Sequence, residues 1–195
     1  VWDQPDGFDF KFRATYRNLL PRLAWKARVV ATVSEFSRGR LSWHLGIPED
    51  EIPIVGNAVS AEFHPPIDLP SDDSDRLRFL SVSSMDPRKN FDRLIRAWEN
   101  LLTSGQLPGN AELRIAGGSN PQNFTTTKLE NSESVKWLGR ISDEQLIEEY
   151  QRASAFIFPS LYEGFGLPPL EAMACGCPVL MSDAASLPEV GGRGF

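Results

Sequence analysis

The stretch Ser160-Leu-Tyr-Glu-Gly-Phe-Gly-Leu-Pro-Pro-Leu-Glu-Ala-Met-Ala-Cys-Gly-Cys-Pro-Val179 decides how the rest of the chain is read. It follows a short apolar run, Ala155-Phe-Ile-Phe158, which reads as a buried strand. A glycine-containing turn comes next, then a helix with Pro169 near its first position and Gly176 just past its end. Pro178–Ser182 reads as the following strand and completes a β-α-β unit. Such a loop leaves unpaired backbone N–H groups at a helix N-terminus, a ready site for phosphate. Gly164 and Gly166 have no Cβ, so a ligand can approach their backbone closely. Two carboxylates flank the turn, Glu163 in the loop and Glu171 on the helix. A carboxylate has no reason to stabilise phosphate, so these two read as acceptors of hydrogen bonds from hydroxyls. Phosphate donors beside hydroxyl acceptors suggest a nucleotide sugar. The plainer alternative is an ordinary strand-to-helix turn with two surface glutamates.

Upstream, the same alternation recurs. Leu77–Val82 reads as a strand that opens a parallel sheet. Helix 91–102 follows, with Phe91, Leu94, Ile95, Trp98, Leu101 and Leu102 at helical spacing and Asn90 as its cap. Leu113–Ala116 and Val135–Leu138 are the next strands, the first ended by Gly117-Gly118. Residues 119–134 are polar and loop-like. Ser142-Asp-Glu-Gln145 is a capping box that starts helix 143–153, whose Leu146, Ile147, Tyr150 and Ala153 face the sheet. Near the N-terminus, Val29–Val33 and Ile52–Val55 read as strands, and Glu35–Leu45 as a helix capped by Ser34. The polar, proline-flanked segment around 65–75 marks a linker. The pattern is α/β: a Rossmann-like parallel sheet with helices on both faces, whose ligands bind at the carboxyl ends of the strands. The candidate ligand residues all lie just after strands.

Composition narrows the partners. The 195 residues carry a net charge of −6, which argues against nucleic acid as a bulk partner. No apolar run approaches the roughly 18–20 residues needed to span a membrane, and no signal peptide opens the sequence. Cys175 and Cys177, separated only by Gly176, read as reduced packing residues in a cytoplasmic protein. Residues 10–45 are different: eight Lys or Arg face one acid, Glu35, for a local charge of +7. Aromatic and aliphatic residues interleave there, and Pro21 argues against one continuous helix. This reads as a solvated helical surface packed by its apolar side, or as a basic amphipathic face resting on anionic lipid at the inner face of the plasma membrane. No metal site is expected. Asp73-Ser-Asp75 lies in the polar linker, and His44 and His64 have no partner at metal-ligand spacing. Gly164-Phe-Gly166 lacks the third glycine of a dinucleotide fingerprint. No Ser-His-Asp or Cys-His constellation can be placed.

The block Glu163-Gly-Phe-Gly-Leu-Pro-Pro-Leu-Glu-Ala-Met-Ala174 resembles the signature of the retaining glycosyltransferases of family 4, which have the two-domain GT-B fold. The likeness runs from about Val29 to Gly192 and is densest over residues 135–191. It implies that Glu163 with Gly164, Phe165, Gly166 and Leu167 holds the donor sugar and that Glu171 binds the ribose. Ser83-Ser-Met-Asp-Pro-Arg-Lys-Asn90 resembles the family's Gly-x-x-x-Pro-x-Lys loop, so Lys89, helped by Arg88, would neutralise the leaving diphosphate. Ser83 stands where the family has glycine. Arg140, at the end of a strand where the family usually touches the base, is a further donor contact. Val33–Arg38 resembles the close of the family's N-terminal domain, and Gly56–Val59 its interdomain turn with Asn57-Ala58 in place of Asn-Gly. The implied organisation is residues 1–62 as the end of the acceptor domain, 63–75 as linker and 76–195 as the donor domain, incomplete at both ends.

The implied reaction is retaining transfer of a hexosyl group, with a lean toward mannosyl, from a GDP-, UDP- or dTDP-sugar to a saccharide or lipid-linked acceptor in polysaccharide synthesis. It requires neither a metal nor another cofactor. A chain with only part of the acceptor domain is expected to turn over poorly by itself. Two rivals stand beside this reading: a GT-B nucleotide-sugar epimerase, and a non-catalytic nucleotide-sugar-binding or partner subunit.

Overall fold

The computed structural model describes residues 2–4, 9–67, 76–82, 84, 86–118 and 134–192. The linker residues 68–75, with Asp73-Ser-Asp75, lie outside that range, as do Ser83 and the polar segment 119–133. The chain divides into two compact units. One comprises residues 59–161 and 167–182, the other residues 1–58, 162–166 and 183–195.

The first unit is a five-stranded, all-parallel sheet. Its strands are β1 (Leu77–Val82), β2 (Ala111–Ala116), β3 (Val135–Gly139), β4 (Ala155–Phe158) and β5 (Val179–Met181), in the order β3-β2-β1-β4-β5. The chain winds outward from β1 to β3, then returns to the other side of β1 with β4. With right-handed crossovers, that reversal places successive helices on opposite faces and a topological switch point between β1 and β4. Side-chain packing agrees. Helix α3 (Phe91–Thr103) buries Phe91, Leu94, Ile95 and Trp98 against Leu113 and Ile115 of β2, with Phe79 and Ile157 on the same cluster. Each such side chain contributes about 1.5–3 kcal/mol on burial. The adjacent residue Phe156 points the other way and meets Tyr150 of helix α4 (Asp143–Arg152) edge-on, ring centroids 5.3 Å apart. Helix α5 (Leu167–Ala174) joins β4 to β5 and ends at Gly176, whose φ of 78° suits a residue without Cβ.

Glu112, second residue of β2 and 2% exposed, is held by three cations: Arg76 at 3.0 Å, Arg114 at 2.7 Å and Lys136 at 2.7 Å. Burial by itself would raise its pKa, but these hydrogen bonds prevail and pull it down to about 2. The network sits at the amino-terminal ends of the strands, the edge opposite the ligand-binding edge expected of such sheets.

The second unit contains helices α1 (Phe10–Lys26), α2 (Glu35–Leu45) and α6 (Leu187–Gly191). The structure corrects four expectations, three of them in this unit. Helix α1 runs unbroken through Pro21. None of its residues is buried, so water reaches the backbone where the proline lacks an N–H, and the defect is tolerated. For the same reason, α1 does not pack by its apolar side among the described residues: Phe10, Leu23 and Trp25 are exposed. Val29–Val33 and Ile52–Val55 do not form strands. A single parallel bridge joins Thr32 to Ile54, and Pro53 has no N–H with which to extend the ladder. In the sheet unit, Asn90 precedes α3 but does not cap it by its side chain. It ends the 3₁₀ turn Pro87–Lys89 in the left-handed region, φ 59°, and its Nδ2 donates to the Pro159 carbonyl at 3.1 Å. Ser34 and the Ser142–Gln145 box do cap α2 and α4 as expected.

Candidate functional site

In the sheet unit, the carboxyl ends of β1 and β4 gather the first set of residues. The 3₁₀ turn after β1 is closed by Asp86, whose side chain accepts from the Arg88 N–H at 3.0 Å. It presents Lys89 with its Nζ 5.1 Å from the ring centroid of Phe158, the last residue of β4. The Leu161 N–H donates to the Arg88 carbonyl at 2.7 Å, so the segments following β1 and β4 are tied together at the switch point. Ser160, 1% exposed, ends β4's exit with a buried hydroxyl that has no hydrogen-bond partner among the described residues. Arg88 pairs instead with Asp86, Nε to Oδ2 at 2.9 Å. Arg140 is exposed just beyond β3.

Glu171 lies half-buried on α5, where the fully buried Tyr150 donates its O–H to Oε2 at 3.2 Å. Burial raises the Glu171 pKa, and the Tyr150 hydrogen bond works against that rise. Burial also raises the Tyr150 pKa, with the Glu171 charge adding to it, so the phenol remains a donor. Helix α5 itself supplies few N–H groups. Pro168 and Pro169 occupy two of its first three positions, which leaves Leu167 and Leu170 in the first turn.

The loop 162–166 belongs to the other unit, and there its backbone is fastened carbonyl by carbonyl. Ser186, 0% exposed, shares its proton between the Glu163 carbonyl at 3.0 Å and the Phe165 carbonyl at 2.9 Å. The Gly164 carbonyl accepts from Ser34 at 2.7 Å and from Ser37 at 3.0 Å. The peptide bonds among the described residues are all trans, so each N–H points opposite to the carbonyl it shares a plane with. The N–H groups of Gly164 and Gly166 therefore point away from Ser186, and that of Phe165 away from Ser34 and Ser37. Glu163 is 8% exposed, which sets aside the surface-glutamate alternative for this residue. Tyr162 anchors the loop's start, donating to Asp3 Oδ2 at 2.7 Å and packing edge-on against Phe36. Asp3 also receives Arg40 and His44; the Arg40 bond most of all, against the effect of burial, holds its carboxyl well below the usual range.

Sequence reasoning found Ser34 only as a helix cap and did not find Ser37, Ser186, Ser160 or Tyr150 as parts of the site. Partners as far apart as residues 37 and 164 leave no local pattern. Tyr150 alone carried a clue, since a tyrosine on the buried stripe of a helix needs a partner for its hydroxyl. Among the described residues, no group of three or more His, Cys, Asp or Glu side chains could hold a metal ion. No described helix is long and apolar enough to cross a membrane.

The sheet is of the doubly wound α/β class, and solved structures place it in the GT-B glycosyltransferase fold. The Anabaena protein HepE, solved with UDP and glucose, superposes with a TM-score of 0.77 over 98% of this chain and 53% of its own, at 20% identity. The sequence belongs to the family Glycosyl transferases group 1, matched over residues 70–195. It is 34% identical over 177 residues to O-antigen chain mannosyltransferase B of Escherichia coli, covering 85% of this chain and 46% of that one. It is 32% identical over 198 residues to the serotype-specific mannosyltransferase WbdA of Escherichia coli, covering 93% of this chain and 24% of that protein. The chain thus spans half or less of the length of these relatives. It is a glycosyltransferase-family sequence, and both of these relatives are named mannosyltransferases.

Proposed function

We propose that the chain carries the donor site of a retaining, metal-independent glycosyltransferase of family 4 type, which takes a hexosyl group from a nucleotide-diphosphate sugar. The observation that carries this is the switch point: Lys89 lies against Phe158 at the carboxyl ends of β1 and β4, where ligands of doubly wound sheets bind. As the bond from C1 to the diphosphate breaks, charge grows on the phosphate oxygens, and a fixed cation stabilises it more than it does the bound donor. Arg88, already neutralised by Asp86, has the smaller share. The N–H groups of Gly164, Phe165, Gly166 and Leu167 hold phosphate and sugar, Glu163 accepts from the sugar hydroxyls, and Glu171 accepts from the ribose. Arg140 lies against the base. The names of the relatives favour mannose, hence GDP-mannose, and a saccharide or lipid-linked acceptor. Glu163 is assigned no nucleophilic step.

Turnover tests the reading. A transferase given GDP-mannose, UDP-glucose or dTDP-glucose with an acceptor saccharide releases nucleoside diphosphate and keeps the anomeric configuration. Altered sugar with no released diphosphate would point to the epimerase, and function that survives Lys89→Ala and Glu163→Ala to a binding subunit. Peripheral contact with anionic lipid through residues 10–45 belongs to the same proposal, since α1 carries Lys11, Arg13, Arg17, Arg22 and Lys26 and no acid. Failure to sediment with phosphatidylglycerol vesicles would remove that part alone.

A further inference from the structure

We infer that Ser34, Ser37 and Ser186 are positioning residues for the loop 163–166: their hydroxyls fix the orientation of its peptide groups and so decide whether the loop can bind the diphosphate-sugar end of a donor. This rests on the donor reading above. Glycines at 164 and 166 give the loop many accessible conformations, so nothing in its own sequence holds its peptide groups in one arrangement. Three consecutive carbonyls, those of Glu163, Gly164 and Phe165, are nevertheless all occupied by serine hydroxyls. Planar trans peptides then fix each paired N–H group, those of Gly164 and Gly166 pointing away from Ser186 and that of Phe165 away from Ser34 and Ser37, without any contact between a serine and a ligand.

The serines are themselves held in place. Ser34 accepts from the Ser37 N–H at 3.1 Å while donating to Gly164, which orients its proton. The start of α2, which carries Ser34 and Ser37, is fixed by Glu189, whose two carboxylate oxygens accept from the N–H groups of Glu35 and Phe36 at 2.8 Å each. Ser186 stands at the N-cap of α6 but makes no capping bond, because its hydroxyl serves the loop. The residue before it, Ala185, adopts φ 57°, a conformation alanine rarely tolerates. Local strain beside a buried serine that gives up its own cap marks a conformation set by the loop rather than by the helix.

Ser37→Ala separates positioning from simple structural support. Alanine is the better helix former, so the variant keeps or raises the thermal midpoint of the chain while removing one of the two donors to Gly164. Ser34→Thr keeps both the cap and the donor and serves as the conservative control. Binding is measured by titration calorimetry with GDP-mannose, UDP-glucose and dTDP-glucose, and with the monophosphate of whichever nucleotide binds. The expected result is a several-fold weaker affinity of Ser37→Ala for the nucleotide sugar, an unchanged affinity for the monophosphate, and wild-type affinities for Ser34→Thr. Ser186→Ala should lose more, in the same selective way. Equal affinity of Ser37→Ala and the parent chain for the nucleotide sugar, or an equal loss for sugar nucleotide and monophosphate, would overturn the inference while leaving the donor reading standing. If the parent chain binds none of the three donors, the donor reading falls and the inference with it.

Discussion

Removing the Tyr150 hydroxyl with Tyr150→Phe should destabilise the chain in a pH-dependent way that reports on Glu171. Phenylalanine fills the same fully buried space, so no cavity forms and the change isolates one hydrogen bond, 3.2 Å to Glu171 Oε2. A bond to a charged acceptor contributes about 1.5–3 kcal/mol, and the low end applies here because Glu171 is only half-buried and water can partly replace the donor. At pH 7.5 the expected loss is about 1.5 kcal/mol, or a fall of roughly 3–6 °C in midpoint for a chain of this size. Burial already places the folded Glu171 pKa above its ordinary value, and loss of the Tyr150 bond raises it further. A raised carboxyl pKa costs stability above that pKa and costs nothing where the group is protonated in both states. The loss should therefore shrink toward about 0.5–1 kcal/mol, the neutral-bond value, near pH 3.5, below the ordinary Glu value of 4.5, where the carboxyl is protonated in both states. Urea unfolding of Tyr150→Phe, Glu171→Gln and the double variant at both pH values measures it, with the coupling energy taken from the cycle. A loss independent of pH, or a coupling of zero, would refute the assignment of Tyr150 as the group that steadies Glu171.

Breaking the buried charge cluster is a second test: Glu112→Ala removes one of the two carboxylates that hold Arg114, Glu149 remaining, and should cost about 1.5–3 kcal/mol in urea unfolding. Because the Glu112 pKa is depressed to about 2, its contribution is present above the ordinary carboxylate range and is lost as pH falls from about 4.5 toward 2, so the variant's acid-unfolding profile should be flatter there than the parent's. Burial pushes both Cys175 and Cys177 up to about 11, so the native chain at pH 8 should resist a thiol-labelling disulfide reagent and react at the rate at which it unfolds. Rapid labelling in the absence of denaturant would contradict that.

Much of the fold was legible because strands and helices of this kind write their burial into the sequence. Phe91, Leu94, Ile95 and Trp98 fall on one stripe of α3, and β4 is a plain apolar run between turns. Caps made within four residues, at Ser34 and Ser142, were legible for the same reason. What failed depended on surroundings. Pro21 reads as a helix breaker, yet an exposed helix tolerates it, and Val29–Val33 has strand composition without a strand to pair with. Asn90 has a capping side chain, but the turn before it dictates a left-handed backbone in which that side chain reaches Pro159 instead. At the candidate site, Glu163, Lys89 and Glu171 were visible as residue types after strands. The serines that hold the loop carbonyls were not, because Ser34 and Gly164 meet across 130 residues of sequence.

The central claim is that this chain binds a nucleoside diphosphate at the switch point through Lys89. Calorimetric titration of the purified chain with GDP, UDP and dTDP, repeated with Lys89→Ala and Glu171→Ala, tests it most directly. The account predicts selective binding of one nucleotide, weakened about tenfold or more by Lys89→Ala, a loss of ~1.4 kcal/mol or greater. Absence of binding by all three at millimolar concentration, or binding that neither substitution changes, would contradict it.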